Sequence, residues 1–528
     1  MNHPEIWIYR SADFDGRIYV KIMPASSSSQ YEITLLKDNY PLQCSTGKAA
    51  VFNNNDIGCY HASVKVTDEN GMTFELKSKE IRITEPACKK NILQYRIAPE
   101  TEESPGAYDE IDKYLLYIKL SKGKSLLSLA KEPVAKLPLY HRMARSYSSE
   151  KIAINSVLND ILPDTYYLSL NTTFNELVLL SKELEKLDYV LMCSVIPDTS
   201  EMTPPVLPPF EASVCSEYKI ITDEPTPDFV PLQTYLQPTS GNIKGMNVLS
   251  AWHKNETGRA ATVRHLDFGV YRNHEDLEGN ITVVNSRPET QDCNHGTAST
   301  GCIAARADTS GVTGIAHDCD FYFYDTGDLP KIVSDAMPGD IVSLDIQLRR
   351  DGKLLPVLDN RAWWDMINAL TKSGVVVIMA AGNGGLDIGN ASGNMNQYGD
   401  SGATVVGACY HSSGRKIYFS NFNHSTSLIN SWGDWSVVTT GYGSLQRKEG
   451  NNRNYSNNYS GTSSATPLCA GACALIQSYA ISNFGICLDS YEMRKLIYET
   501  GSSEGEQDKI GKRPDVAAAL AYLDKKYA

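Results

Sequence analysis

Tyr459-Ser460-Gly461-Thr462-Ser463-Ser464-Ala465-Thr466-Pro467 leads, through Leu468, into a run of small apolar residues from Cys469 to Leu475. A turn-forming Gly-Thr-Ser ahead of such a run places one serine hydroxyl at the first turn of a buried helix. There the positive end of the helix dipole favours a developing negative charge. A serine hydroxyl is a poor nucleophile unless three other groups support it. A histidine must take its proton, a carboxylate must hold that histidine in the right tautomer, and donors must face the oxyanion of the tetrahedral intermediate.

One of the ten histidines stands out. Asn294-His295-Gly296-Thr297-Ala298 leads into Ser299-Thr300-Gly301-Cys302-Ile303-Ala304-Ala305. These small residues suit a helix packed closely on a sheet, with the imidazole near its start. Upstream, Ala261-Thr262-Val263-Arg264-His265-Leu266-Asp267-Phe268-Gly269-Val270 reads as a strand ending in Asp267, then a glycine turn. Downstream, Gly374 to Gly384 reads as a buried parallel-type strand ending in Ala380-Ala381-Gly382-Asn383. Each residue alone has a plain structural reading: Asp267 and Asn383 as turn formers, His295 as a helix-start histidine, Ser463 as an N-cap. Four such motifs in one chain point instead to a shared site.

Gly461-Thr462-Ser463-Ser464-Ala465-Thr466-Pro467 and His295-Gly296-Thr297, in the order Asp267, His295, Asn383, Ser463, resemble the subtilisin-like serine peptidases, the subtilase family. Chymotrypsin-like and α/β-hydrolase enzymes use other orders. His274-Glu275-Asp276-Leu277, Gly311 to Ala316, Ser401 to Ala408, Phe419 to Phe422 and Gly511 to Val516 extend the resemblance over roughly residues 236–528. It implies an α/β domain with a mostly parallel sheet and helices on both faces. It also implies a serine endopeptidase working through an acyl-enzyme, with autoprocessing. Ser463 would attack a peptide carbonyl, His295 would remove and return the proton, and Asp267 would orient the imidazole. Asn383 and the Ser463 N–H would hold the oxyanion. Ser343, Leu344, Asp345, Ala381 and Gly382 would line the substrate cleft, with the strand Asp340–Leu344 bonding an extended peptide by β-augmentation.

Three residues depart from the family pattern. Phe268 follows Asp267 where Ser or Thr is commoner, and His317 follows Ala316 where Pro is usual. Asp345 stands where many members have Gly, on a wall of the primary specificity pocket, and its direction is not legible in sequence. Catalysis needs no cofactor. Family members often bind structural calcium, but no ligand set is assigned here and no metal site is read. Asp267-Phe268-Gly269 also spells the kinase magnesium motif, but no catalytic or phosphate-binding loop of that class accompanies it.

The chain is 528 residues long, enough for two to four domains. Nine of the 24 prolines fall between Pro197 and Pro238, so 198–235 reads as an extended linker. Residues 1–87 show short alternating strands, with Asp68-Glu69-Asn70-Gly71 as a hairpin turn, and suggest a small β-sandwich-like domain resembling immunoglobulin-like or PKD-type modules. Residues 88–197 read as an α+β unit. Tyr114–Leu120, Tyr166–Leu170 and Tyr189–Ile196 are its strands. Thr173-x-x-Glu176 is a capping box, followed by Leu177, Leu180, Leu184 and Leu187 at helical spacing. Its position ahead of a subtilisin-like domain implies a propeptide, an inhibitor and folding aid. An unrelated accessory or regulatory domain is the alternative.

A net charge of −13 argues against nucleic acid as a partner. No apolar run of membrane-spanning length occurs, so no membrane partner is expected. Met1 to Trp7 lacks a basic start and an apolar core, which gives a cytoplasmic expectation, although non-classical export leaves no mark on a sequence. The twelve cysteines are read as mostly reduced, with Cys469 and Cys473 as packing residues. The expected partners are a protein or peptide substrate and the chain's own propeptide-like unit. Two other readings stay open: a restrained intracellular or effector protease with a permanent regulatory N-terminal half, and an inactive binding protein on a peptidase fold.

Overall fold

The computed structural model describes residues 4–26, 28–54, 56–87, 115–131, 165–169, 172–196, 202–204, 224–389, 398–424, 428–448 and 450–527. Its centre is a seven-stranded sheet, parallel throughout, in the order Thr282–Val283, Asp320–Asp325, Thr262–Asp267, Ile341–Leu344, Val376–Ala380, Thr404–Cys409, Ile429–Trp432. The chain builds outward from Thr262–Asp267 first to one side and then to the other. Asp267 therefore ends its strand where the winding reverses, the usual place for a site in an open α/β sheet.

Side chains alternate across this sheet, and both faces are buried. Val263, Ile341, Val376 and Ile378 face a core with Ala298, Cys302, Leu468 and Cys469, from the helices Asn294–Ala304 and Thr462–Phe484. Leu266, Val342, Leu344, Val377 and Met379 face the opposite core, with Leu329, Ile332, Trp363 and Ile367 from the helices Leu329–Asp335 and Arg361–Lys372. Strands buried on both sides read as continuous apolar runs, which is why Val375 to Ala381 carries no polar residue.

The N-terminal segment forms antiparallel strands in two groups that share one core. Glu5–Ser11, Arg17–Met23 and Ala49–Asn53 make one, and Tyr40–Thr46, Gln30–Lys37, Gly58–Thr67 and Thr73–Lys77 the other. Ile18, Val20 and Ile22 point into that core with Ile33, Leu35 and Val64. Tyr19 and Lys21 alternate to the other side, against the domain of the seven-stranded sheet. There Tyr9 and Tyr19 pack with Ala260, Met337, Ile481 and Cys487. Arg10 and Ser11 run parallel to Ile486 and Cys487, and the Arg10 N–H donates to the Gly485 carbonyl at 2.9 Å.

A second small sheet, in the order Thr165–Ser169, Leu115–Leu120, Val190–Ile196, is antiparallel and packs on the helix Phe174–Leu184. Thr173 caps this helix with the reciprocal Glu176 bond, and Leu177, Leu180 and Leu184 are buried. The Tyr117 hydroxyl and the Lys119 ammonium both donate to Asp365 of the Arg361–Lys372 helix, at 2.7 and 3.0 Å. Residues 88–114, 132–164 and most of the Pro-rich stretch, 205–223, lie outside the described residues. The start of the large domain is earlier than position 236. Phe229, Tyr235 and Leu236 are already in its core, and the Tyr235 hydroxyl donates to the Val438 carbonyl at 3.0 Å.

Candidate active site

Two helix starts and two strand ends meet at one point. Cys293 precedes the helix Asn294–Ala304, so His295 sits in its first turn. The helix approaches the turn after Asp267 closely because residue 296 is glycine: a Cβ there would lie 2.1 Å from the Gly269 carbonyl oxygen. Gly461, with φ near 90°, turns the chain into the helix Thr462–Phe484 and sets Ser463 in its first turn.

His295 Nδ1 lies 2.5 Å from Asp267 Oδ1, and His295 Nε2 lies 2.7 Å from Ser463 Oγ. The Phe268 N–H donates to Asp267 Oδ1, and His265 Nε2 lies 3.2 Å from Asp267 Oδ2, so both carboxylate oxygens are engaged. Burial pushes the Asp267 carboxyl up, but the His295 charge and the hydrogen bonds from both imidazoles outweigh it and hold it below the usual carboxylate range. The His295 ring stands edge-on between Phe268 and Tyr459, with centroids 6.0 and 5.9 Å away. The unusual Phe268 therefore walls the imidazole, and its other neighbour is Arg287, 4.9 Å from its centroid.

Asn383 follows the strand Val376–Ala380. Its Oδ1 accepts from the Thr462 N–H and hydroxyl at 3.0 and 3.1 Å, which fixes the side-chain amide beside the start of the serine helix. The Asn383 N–H donates to Gln347 Oε1 at 2.9 Å. Gln347 Nε2 in turn donates to the Pro204 carbonyl at 3.1 Å.

Asp267, His295, Ser463 and Asn383 thus come together. The expected cleft residues do so only in part. Ile341–Leu344 is an inner strand with both edges already paired, to 263–266 and to 376–379, so it has no edge to offer a peptide. The edge that pairs with an extended segment comes just after it: Gln347 and Leu348 are antiparallel to Thr203 and Met202. Ser343 and Leu344 are buried inside the sheet. The Ala381 and Gly382 carbonyls accept from the side chain and backbone N–H of Asn421, at 2.7 and 3.0 Å. Asp345 is turned away from any pocket wall and inward. It is fully buried and hydrogen-bonded to Ser299 Oγ at 2.8 Å. Strand alternation explains this, since Ile341, Ser343 and Asp345 share the face under the His295 helix. His317 is likewise a loop residue, bonded through Nδ1 to the Gly314 carbonyl.

His265, Ser299, Tyr459 and Gln347 were not among the expected site residues. His265 and Asp267 are two apart on a strand, and Ser299 is one helical turn after His295; both placements follow from periodicity. Gln347 and Tyr459 carry no such signal.

Residues 258–514 match the sequence profile described as the Subtilase family. Relatives include the minor extracellular protease Epr of Bacillus subtilis (strain 168), 26% identical over 280 residues, covering 50% of this chain and 39% of Epr. Another is the alkaline elastase YaB of Bacillus sp. (strain YaB), 27% identical over 290 residues, covering 53% of this chain and 69% of that protein. Among solved structures, a serine protease of Aeromonas sobria aligns with a TM-score of 0.46 at 18% identity, covering 62% of this chain and 72% of that one. The chain spans well under half the length of Epr. Residues 258–514 are thus a subtilase-family domain within this chain.

Proposed function

We propose that this chain is a serine endopeptidase that hydrolyses peptide bonds through Ser463, His295 and Asp267. One observation carries the reading: an unbroken hydrogen-bonded line from Ser463 Oγ through the imidazole to Asp267, with links of 2.7 and 2.5 Å at the start of two helices. His295 accepts the Ser463 proton as Oγ attacks the carbonyl carbon. The oxyanion forms beside the Ser463 N–H and the Asn383 side-chain amide. The imidazolium then protonates the leaving amine, and a water molecule hydrolyses the acyl-enzyme by the same steps in reverse. The protein's own side chains supply this chemistry, without a cofactor. No ligand set for calcium is assigned.

A restrained form of the enzyme is favoured by a second observation. Met202-Thr203 lies as a strand on the edge at Gln347–Leu348, and Gln347 joins the Pro204 carbonyl to the Asn383 N–H. The chain's own segment therefore occupies backbone positions beside the oxyanion residue. In this reading the α+β unit of 88–197 is propeptide-like, held on the catalytic body through Tyr117, Lys119 and Asp365. Cleavage within 198–235 uncovers the serine. The β module of 1–87 is an accessory domain. No helix among the described residues is long and apolar enough to cross a membrane.

The test is labelling with a fluorophosphonate, which reacts only with an activated serine. The wild-type chain, or its processed form, should take one label at Ser463, and Ser463→Ala should take none. A folded protein that stays unlabelled after its N-terminal half is removed would be an inactive binding protein instead.

A further inference from the structure

Asp345 has no part in the mechanism above, yet it lies beside the groups that do. One of its carboxyl oxygens, an Asp267 oxygen and a His295 ring nitrogen all lie within 4.8 Å of one another. The groups facing it come from four elements. Asp267 stands on the neighbouring strand with His265 behind it. His295, Ser299 and Cys302 come from the helix Asn294–Ala304, Tyr459 from the strand Tyr455–Tyr459, and Tyr442 from the loop before it. None of these is a lysine or an arginine. Asp345 Oδ2 is bonded to Ser299 Oγ at 2.8 Å, while Oδ1 is buried and has no hydrogen-bond partner among the described residues. Asp267, by contrast, has a partner on each oxygen.

A fully buried site holding two carboxyl groups, with no lysine or arginine among the groups named around the second, keeps one of them neutral. The hydrogen bonds say which. Asp267 is held by donors on both sides, so it carries the charge. An unpartnered oxygen on a buried carboxylate would be costly; on a carboxylic acid it is the less demanding carbonyl oxygen. We propose that Asp345 is a proton-bearing, neutral carboxyl that positions His295 through Ser299, while Asp267 alone holds the negative charge. This rests on the peptidase reading for its catalytic consequence, though not for the protonation itself. In the neutral acid the Asp345 O–H donates to Ser299 Oγ. The Ser299 hydroxyl donates in turn to the His295 carbonyl, 3.2 Å away, and the Tyr459 hydroxyl, 2.7 Å from Ser299 Oγ, donates into the same oxygen. This line pins the first turn of the histidine helix from beneath. Burial and the Asp267 charge both push the Asp345 carboxyl well above the usual carboxylate range, in agreement with the hydrogen-bond pattern.

Ionising Asp345 would remove the donor to Ser299 and set a second negative charge against Asp267. Activity should therefore fall on the alkaline side for a reason that does not involve Ser463 itself. Asp345→Asn keeps a donor and stays neutral at every pH. It should retain kcat within about threefold at neutral pH, with the alkaline limb of kcat/KM lost. Asp345→Ala removes the donor and should lower kcat by about tenfold or more, with KM little changed. An Asn variant that loses tenfold at neutral pH, or that keeps the wild-type alkaline limb, would overturn the proposal.

A readout independent of activity separates this from a failure of the peptidase reading. The infrared difference spectrum of wild type minus Asp345→Asn at neutral pH should contain the C=O stretch of a buried, protonated carboxylic acid. If that band is missing, the proposal falls whether or not Ser463 labels. If it is present while Ser463 stays unlabelled, the peptidase reading falls and the neutral Asp345 stands. Should Asp345→Asn not fold, the band is sought in wild type through its disappearance on alkaline titration, and a wild type with no such band overturns the proposal equally.

Discussion

At the scale of single residues, the site depends on how each polar atom is tied down. Asn383 is the clearest case. Two bonds from Thr462 hold its Oδ1, which orients the amide without help from substrate. Donors already in place at the oxyanion lower the barrier to reaction more than they tighten substrate binding. Asn383→Ala should therefore reduce kcat by about 10²–10³-fold with little change in KM, measured on a peptide substrate. A rise in KM with kcat unchanged would assign Asn383 to ground-state binding instead. The four positions that meet in the candidate site were legible in sequence because each sits in a short motif of small residues that the local backbone demands. Gly296 allows the helix to approach the Gly269 carbonyl, and Gly461 takes a φ that side chains disfavour. The direction of Asp345 was not legible. It depends on where the strand Ile341–Leu344 ends and on which helix lies above it.

At the scale of elements, the inner sheet and the helix of the α+β unit follow directly from pattern. Thr173 and Glu176 cap the helix, and its leucines recur at helical spacing into one core with Leu116, Ile118 and Leu168. Leu180 is fully buried there. Leu180→Ala should cost that unit about 2–5 kcal/mol and loosen it before the catalytic body is affected. If the unit restrains the enzyme, the uncleaved Leu180→Ala chain should hydrolyse peptide faster than the uncleaved wild type. Equal rates would show that the restraint lies elsewhere. The strand Ile341–Leu344 gives the opposite lesson. Its sequence is that of a β strand, and sequence could not say that both its edges were taken. Only the pairing on each side reveals that, and the edge that takes up an extended segment, Met202-Thr203, is instead at Gln347–Leu348.

At the scale of the whole molecule, the N-terminal β module is joined to the catalytic body through a buried charge. The Lys21 ammonium is paired with Asp340, and Arg264 Nε donates to the other Asp340 oxygen at 2.8 Å. Asp340 immediately precedes the strand Ile341–Leu344, Asp345 immediately follows it, and Arg264 lies three residues before Asp267. The module therefore grips the far ends of the two strands that lead into the site. Burial works against the Asp340 charge, but Lys21 and Arg264 outweigh it and hold the carboxyl below its ordinary value. Removing one partner of a buried pair leaves charge uncompensated. Lys21→Met should lower global stability by about 3–5 kcal/mol and open the module to limited proteolysis. Lys65→Met, which breaks an exposed pair with Glu32, should change stability by less than about 1 kcal/mol. Similar melting temperatures for the two variants would refute an integral role for the module.

Taken alone, the sequence determined the four residues that meet in the candidate site, the parallel sheet and the capped helix. These depend on local rules: which residues tolerate a turn, which recur on one face, and which stand at a helix start. The tertiary structure decided the rest. It turned Asp345 inward beneath the helix that carries His295, gave Gln347 its place between Asn383 and Pro204, and buried Lys21 against Asp340. Each of these contacts joins residues far apart in the chain or depends on which edges and faces remain open after packing. Spacing along a sequence carries information about a helix or a strand, but none about what will lie against it.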